Sequence, residues 1–68
     1  MKQLSGKELA RLLRKNGWQL ARVHGSHHVF TKAGNPTRIS IPIHRNRPLK
    51  VGLLKHLLKL AQIDEGEI

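Results

Sequence analysis

Residues 18–31 of the chain, WQLARVHGSHHVFT, contain two short apolar runs joined by a glycine and a serine. In the first run, Trp18 to Val23, residues alternate as they do in a half-buried strand. His24-Gly25-Ser26 predicts a tight turn, because glycine can adopt a positive φ. His27 to Thr31 then predicts a second strand. The stretch therefore predicts a β-hairpin with two histidines directly after its turn.

The sequence on either side of this hairpin predicts a helix before it and a strand and helix after it. Ser5 and Glu8 have the spacing of a capping box, and a leucine stripe follows them. Together they predict a helix over residues 6–16. Alternating isoleucines predict a third strand, with Pro42 at a sheet edge or near the strand end. The predicted loop covers residues 33–36 and the third strand residues 38–43. The second helix is predicted over about residues 50–62.

Two amphipathic helices and a three-stranded sheet bury their apolar surfaces together only if both helices pack on one face. The predicted fold class is therefore α+β, with the order α-β-β-β-α and an antiparallel sheet. This is the architecture of double-stranded-RNA-binding domains. We expect a single domain over residues 1–63 and a short, mobile acidic tail over residues 64–68.

The charge balance points to a polyanionic partner. Thirteen Lys and Arg stand against four Asp and Glu, for a net charge of +9, and there is no acid between Glu8 and Asp64. Such a surface favours nucleic acid or an acidic protein. The absence of cysteine excludes disulfides and thiolate zinc sites. No apolar run has the length of a membrane span, so we expect a cytoplasmic protein without membrane contact.

Taken in order, several motifs resemble the HicA family of bacterial toxins, which are paired with HicB antitoxins. The resemblance is carried by Gly17-Trp18, Arg22-Val23, Gly25-Ser26-His27-His28, Ile41-Pro42-Ile43-His44 and Gly52-Leu53-Leu54. It implies a ribosome-independent endoribonuclease that cleaves mRNA, monomeric alone and hetero-oligomeric with a HicB-type antitoxin. The family's catalytic histidine falls on His27. The sequence departs from the family pattern at Val51-Gly52-Leu53 and Gln62-Ile63.

Metal-independent RNA cleavage needs a base for the 2′-hydroxyl proton, an acid for the leaving 5′-oxygen and a nearby cation. Histidine suits both proton-transfer roles, because its unperturbed pKa is about 6.5. Successive residues of a strand point to opposite faces, so only one of His27 and His28 can line a given site. The residues alone leave that choice open, whereas the resemblance implies His27.

Further candidates for RNA contact lie around the turn, on the strands and in the loop before the second helix. They are Arg22, Gly25, Ser26, His28, Lys32, Arg38, His44, Arg45, Arg47 and Lys50. Arg22, His28, Lys32 and Arg38 are candidates for the cation or the second proton relay. Alternatively, Gly25 and Ser26 form the turn and have no contact with RNA. Trp18 is expected in the core. A non-catalytic RNA-binding module of the same fold is the alternative function.

A metal site at His24, His27 and His28 is not expected. Their spacing is helical, but on a turn and strand the three imidazoles should diverge, and no carboxylate lies nearby in the sequence. The sequence therefore predicts no metal and no cofactor.

Overall fold

The computed structural model describes residues 2–68 and has the order helix, three strands, helix. The strands form one antiparallel sheet in the order β1-β2-β3. The elements are α1 (Gly6–Lys15), β1 (Gln19–His24), β2 (His27–Lys32), β3 (Asn35–Pro42) and α2 (Val51–Ala61). The predicted α+β class and the α-β-β-β-α order are confirmed.

The first helix begins at the predicted capping box. The Ser5 backbone N–H donates to Glu8 Oε1 at 2.9 Å, and the Glu8 N–H donates to Ser5 Oγ at 3.2 Å. The bond from the Ser5 backbone is the main reason why the pKa of the Glu8 carboxyl is lowered. Gly6, which follows the cap, packs tightly on the end of β3. A Cβ there would lie 2.5 Å from the carbonyl oxygen of Pro42, so only glycine fits.

Most strand boundaries lie within one residue of the prediction, and two differences affect the turns. β1 extends through His24, so only Gly25 and Ser26 form the turn, with φ 64° at Gly25. β3 begins at Asn35, so the predicted loop over residues 33–36 is too long. The reason is that Asn35 pairs with Lys32 across a two-residue turn, and an edge strand tolerates proline at the next position. The Asn35 side chain also accepts the Thr37 N–H at 2.9 Å. β3 ends at Pro42, one residue before the predicted end, and Pro42 therefore lies at the strand end of an edge strand, where it was predicted.

Both helices pack on the same face of the sheet. Phe30, Ile39 and Ile41 point from that face into the core and are fully buried. Trp18, predicted in the core, is also buried. The helices contribute the rest of the core, chiefly through Leu9, Leu13, Leu54, Leu57 and Leu58. The opposite face of the sheet is left open to solvent, since neither helix covers it.

The second helix lies within one residue of its predicted limits at each end, with Lys50 as its N-cap and Gln62 as its C-cap. The acidic end, predicted to be mobile, has a short element of its own, and its mobility stays a prediction. Asp64 caps a short 3₁₀ turn over Glu65–Glu67, and Ile68 packs partly buried against the core. The division into a domain over residues 1–63 and a tail stays a prediction. Over residues 2–68, neither helix is long and apolar enough to span a membrane.

Candidate active site

The structure decides which of the two consecutive histidines faces solvent. Phe30 points into the core, so His28, two residues earlier on β2, also points towards the helices. His27 lies on the open face of the sheet and is exposed. This open face therefore presents His27 to solvent, while His28 belongs to the other side.

His24 is the residue directly opposite His27 across the hairpin. Both side chains lie on the open face, both are exposed, and directly opposed Cβ atoms are about 4.5–5.5 Å apart. The expectation that the three imidazoles diverge is therefore wrong for His24 and His27, although His28 does point away. A two-residue turn at Gly25-Ser26 makes its flanking residues a cross-strand pair, which was the signal available in the sequence.

A β-bulge in β1 brings an arginine to the same face. Leu20 pairs with Phe30, but Arg22 pairs with Val29, so the register shifts between them. Without that shift Arg22 would share the face of Leu20; with it, Arg22 points to the open face. It becomes the diagonal neighbour of His27, at about 7–8 Å between backbone positions.

Arg38 reaches the open face from β3. Together with Arg22, Val29 and Thr31 it lines a shallow hollow of about 150 Å³. Val29 lies two residues beyond His27 on β2, about 7 Å further along the strand. The hollow and the His24–His27 pair therefore form one continuous surface with two imidazoles at one end and two guanidinium groups beyond.

The turn and the following loop hold further predicted residues. Gly25 is exposed, and the Ser26 carbonyl accepts the Ile43 N–H at 2.8 Å, which ties the turn to the end of β3. His44, Arg45 and Arg47 are exposed in the loop before α2 and line a hollow different from that of Arg22 and Arg38. Lys50 is exposed at the start of α2.

Two of the predicted RNA contacts lie on β2 but do not point to the open face. Lys32 places its Nζ 5.8 Å from the centre of the Trp18 ring, a cation–π contact on the helix side of the sheet. His28 lines a groove beside α1 together with Lys7, Arg11 and Arg14. These three cations were not among the residues predicted from the sequence, although their spacing at i, i+4 and i+7 places them on one helix face.

Within residues 2–68 there is no cluster of three or more His, Asp or Glu side chains able to hold a metal ion. The open face thus offers proton transfer by imidazoles and charge stabilisation by guanidinium groups.

Most of the chain matches a known protein family. Residues 6–63 match the family model described as the HicA toxin of bacterial toxin–antitoxin systems. The match covers both helices, all three strands and the His24–His27 pair. No curated protein is matched with significant similarity.

Proposed function

The chain belongs to the HicA toxin family of bacterial toxin–antitoxin systems, and from this premise we propose that it is a metal-independent endoribonuclease acting on mRNA. Membership makes the protein the toxin of such a system and implies an antitoxin as its partner. The observation that supports the catalytic proposal is the cross-strand pair of exposed histidines, His24 and His27, with Arg22 beside it.

In the proposed reaction, one imidazole of the pair removes the proton from the 2′-hydroxyl, and the 2′-oxygen attacks the adjacent phosphorus. The bond from phosphorus to the 5′-oxygen breaks, and the other imidazole donates a proton to that oxygen. Arg22 offsets the negative charge that develops on the phosphoryl oxygens. Arg38, further along the hollow, holds a neighbouring phosphate. His27 is the catalytic histidine in this proposal, and His24 is the second proton-transfer group.

The first prediction concerns the ends of the RNA products. Wild-type protein incubated with labelled mRNA in EDTA should give 2′,3′-cyclic phosphates and 5′-hydroxyl ends, because the 2′-oxygen is the nucleophile. A polynucleotide kinase should label the 5′ ends without prior phosphatase treatment, and a 2′-deoxy nucleotide at the cleaved position should block the reaction. Products with 5′-phosphates would contradict the mechanism. Binding without cleavage would favour the non-catalytic RNA-binding module.

The second prediction separates the roles of the two histidines. His24→Ala should slow cleavage of ordinary RNA by about 10²-fold or more, the usual contribution of a positioned acid or base. A substrate with sulfur in place of the 5′-bridging oxygen needs no acid, since a thiolate leaves unprotonated. One of His24→Ala and His27→Ala should therefore regain activity on this substrate, and the other should not.

His56→Ala, on the exposed face of α2, is the matched control for a lost histidine. If His24→Ala cleaves ordinary RNA as fast as the wild type and the His56 variant do, His24 has no role in proton transfer.

We propose that the antitoxin is a HicB-type protein with an acidic surface that covers the open face and shields His27. The toxin would be monomeric alone and hetero-oligomeric in the complex. Charge complementarity of this kind accelerates the encounter, so the association rate should fall as salt is added.

A further inference from the structure

A second basic concavity lies on the opposite side of β2 from His27. This groove runs between α1 and the sheet and has a volume of about 240 Å³. Its floor is formed by His28, Phe30 and Ile43, and its wall is one face of α1. We call it the α1 groove; it is lined by Lys7, Ala10, Arg11, Arg14, His28, Phe30 and Ile43.

The α1 groove is strongly cationic. Lys7, Arg11 and Arg14 project along it from successive turns of α1, and none of its lining residues is acidic. Glu8 is the nearest acid in the helix, but its carboxylate is bonded to the Ser5 N–H at the helix start. Arg14 lies over the Phe30 ring, 5.9 Å from its centre, which holds the guanidinium close to the sheet. Arg11 also interacts electrostatically with Glu8, but three cations against that single carboxylate leave an excess of positive charge that attracts a small anion.

His28 adds a polar group without a partner. It is half-buried, and its Nδ1 is buried without a hydrogen-bond partner among the described residues. Buried polar atoms in proteins are nearly always bonded to protein, water or an ion, so the His28 ring has an unmet hydrogen-bonding capacity beside the groove that it lines. An anion in the groove would lie beside the His28 ring and would counterbalance the three α1 cations.

We propose that the α1 groove is a second phosphate-binding site, which takes a phosphodiester of the RNA next to the one held at His27. The identification of the phosphodiester as part of an RNA rests on the proposed function. The proposal that the groove binds an anion does not depend on it. The groove is smaller than the range of about 300–1,000 Å³ typical of sites for drug-sized ligands, so a phosphate group suits it better than a whole nucleoside.

The position of the two histidines gives the RNA a path between the sites. His27 and His28 are consecutive, with Cα atoms about 3.8 Å apart, and both directly follow the Gly25-Ser26 turn at the end of the sheet. Gly25 is exposed and has no neighbouring atoms where a side chain would be. A single strand can therefore pass over this turn, with one phosphate on the open face and another in the α1 groove. Gly25 and Ser26 would then lie under the backbone of the RNA.

The test compares two triple variants of equal charge. Lys7→Gln, Arg11→Gln and Arg14→Gln together remove the cations of the groove; Lys15→Gln, Lys55→Gln and Lys59→Gln remove three exposed cations elsewhere on the helices. Both variants carry a net charge of +6, three less than the wild type at +9. The probe is a short fluorescent 2′-O-methyl oligonucleotide, which lacks the nucleophile and is not cleaved. Its affinity is measured by anisotropy over a range of salt concentrations.

The groove variant should bind the probe about tenfold more weakly or worse. The slope of log affinity against log salt should be less steep by about 0.7, since the groove holds one phosphate and each phosphate contact on a single strand contributes about 0.7. The control variant should keep most of the affinity and the slope. Equal losses in the two variants, or no loss in the groove variant, would overturn the proposal. Weaker antitoxin binding with unchanged RNA binding would also overturn it and would make the groove a protein contact.

Two further measurements keep the result unambiguous. If the triple variant does not fold, as judged by circular dichroism, the double variant Lys7→Gln/Arg11→Gln leaves Arg14 on Phe30 and should still weaken binding. Titration with dimethyl phosphate should shift the imidazole NMR signals of His28 in the wild type and not in the groove variant; unshifted signals in the wild type would contradict the site. Neither the binding measurement nor the NMR titration needs cleavage. A wild-type protein that does not cleave RNA would therefore overturn the proposed nuclease function, while these two measurements would still test anion binding in the groove.

Discussion

His27→Ala is expected to slow cleavage of mRNA by a factor of about 10²–10⁴, the range for a positioned general acid or base. Binding of the uncleavable oligonucleotide should be retained, because Arg22, Arg38 and the α1 groove still hold the phosphates. The fold should also be unchanged, since His27 is exposed on the open face and packs into no core. Single-turnover cleavage in EDTA and anisotropy on the same preparations measure the two effects.

The matched control is again His56→Ala, which removes an exposed histidine from α2 and should leave both cleavage and binding unchanged. A His27 variant that cleaves at the wild-type rate would contradict the assignment of the catalytic histidine. If the His27 variant lost affinity for the oligonucleotide by the same factor as its cleavage rate, His27 would be an RNA contact and not a proton-transfer group.

Phe30→Ala is expected to destabilise the fold by about 3–5 kcal/mol, the usual cost of truncating a buried aromatic side chain. Phe30 is fully buried at the centre of the helix-facing side of the sheet. A chain of 68 residues has a total free energy of unfolding of about 3–10 kcal/mol, so much of the variant should be unfolded at 25 °C. Urea titration followed by circular dichroism measures the change.

Val29→Ala is the control for Phe30→Ala, because it truncates the preceding residue of β2, on the open face. Val29 is only partly buried, so the loss should be about 1 kcal/mol or less. Equal destabilisation by the two substitutions would contradict the assignment of the faces of β2. Because His27 lies on the Val29 side and His28 on the Phe30 side, that result would also remove the structural basis for placing the two histidines in different sites.

The amino-acid sequence alone determined the local structure of this protein. The Ser5–Glu8 capping box, the leucine stripes and the glycine at the turn predict both helices and the hairpin to within about one residue. These features act over a few neighbouring residues, so the pattern of the sequence is enough to identify them. The apolar stripes also required both helices to share one face of the sheet. The excess of Lys and Arg indicates a polyanionic partner by composition alone.

Only the tertiary structure decided which side chains share a surface. The alternation of residues in β2 allowed either His27 or His28 to face the helices; the packing of Phe30 in the core settled the choice. Strict alternation in β1 would have placed the Arg22 side chain on the same face of the sheet as Leu20. The bulge places it instead on the face of His27. The three cations of α1 lie in one groove with His28 because α1 packs on the sheet. The physical reason is that register, bulges and helix docking depend on contacts between segments distant in sequence, which no local pattern contains.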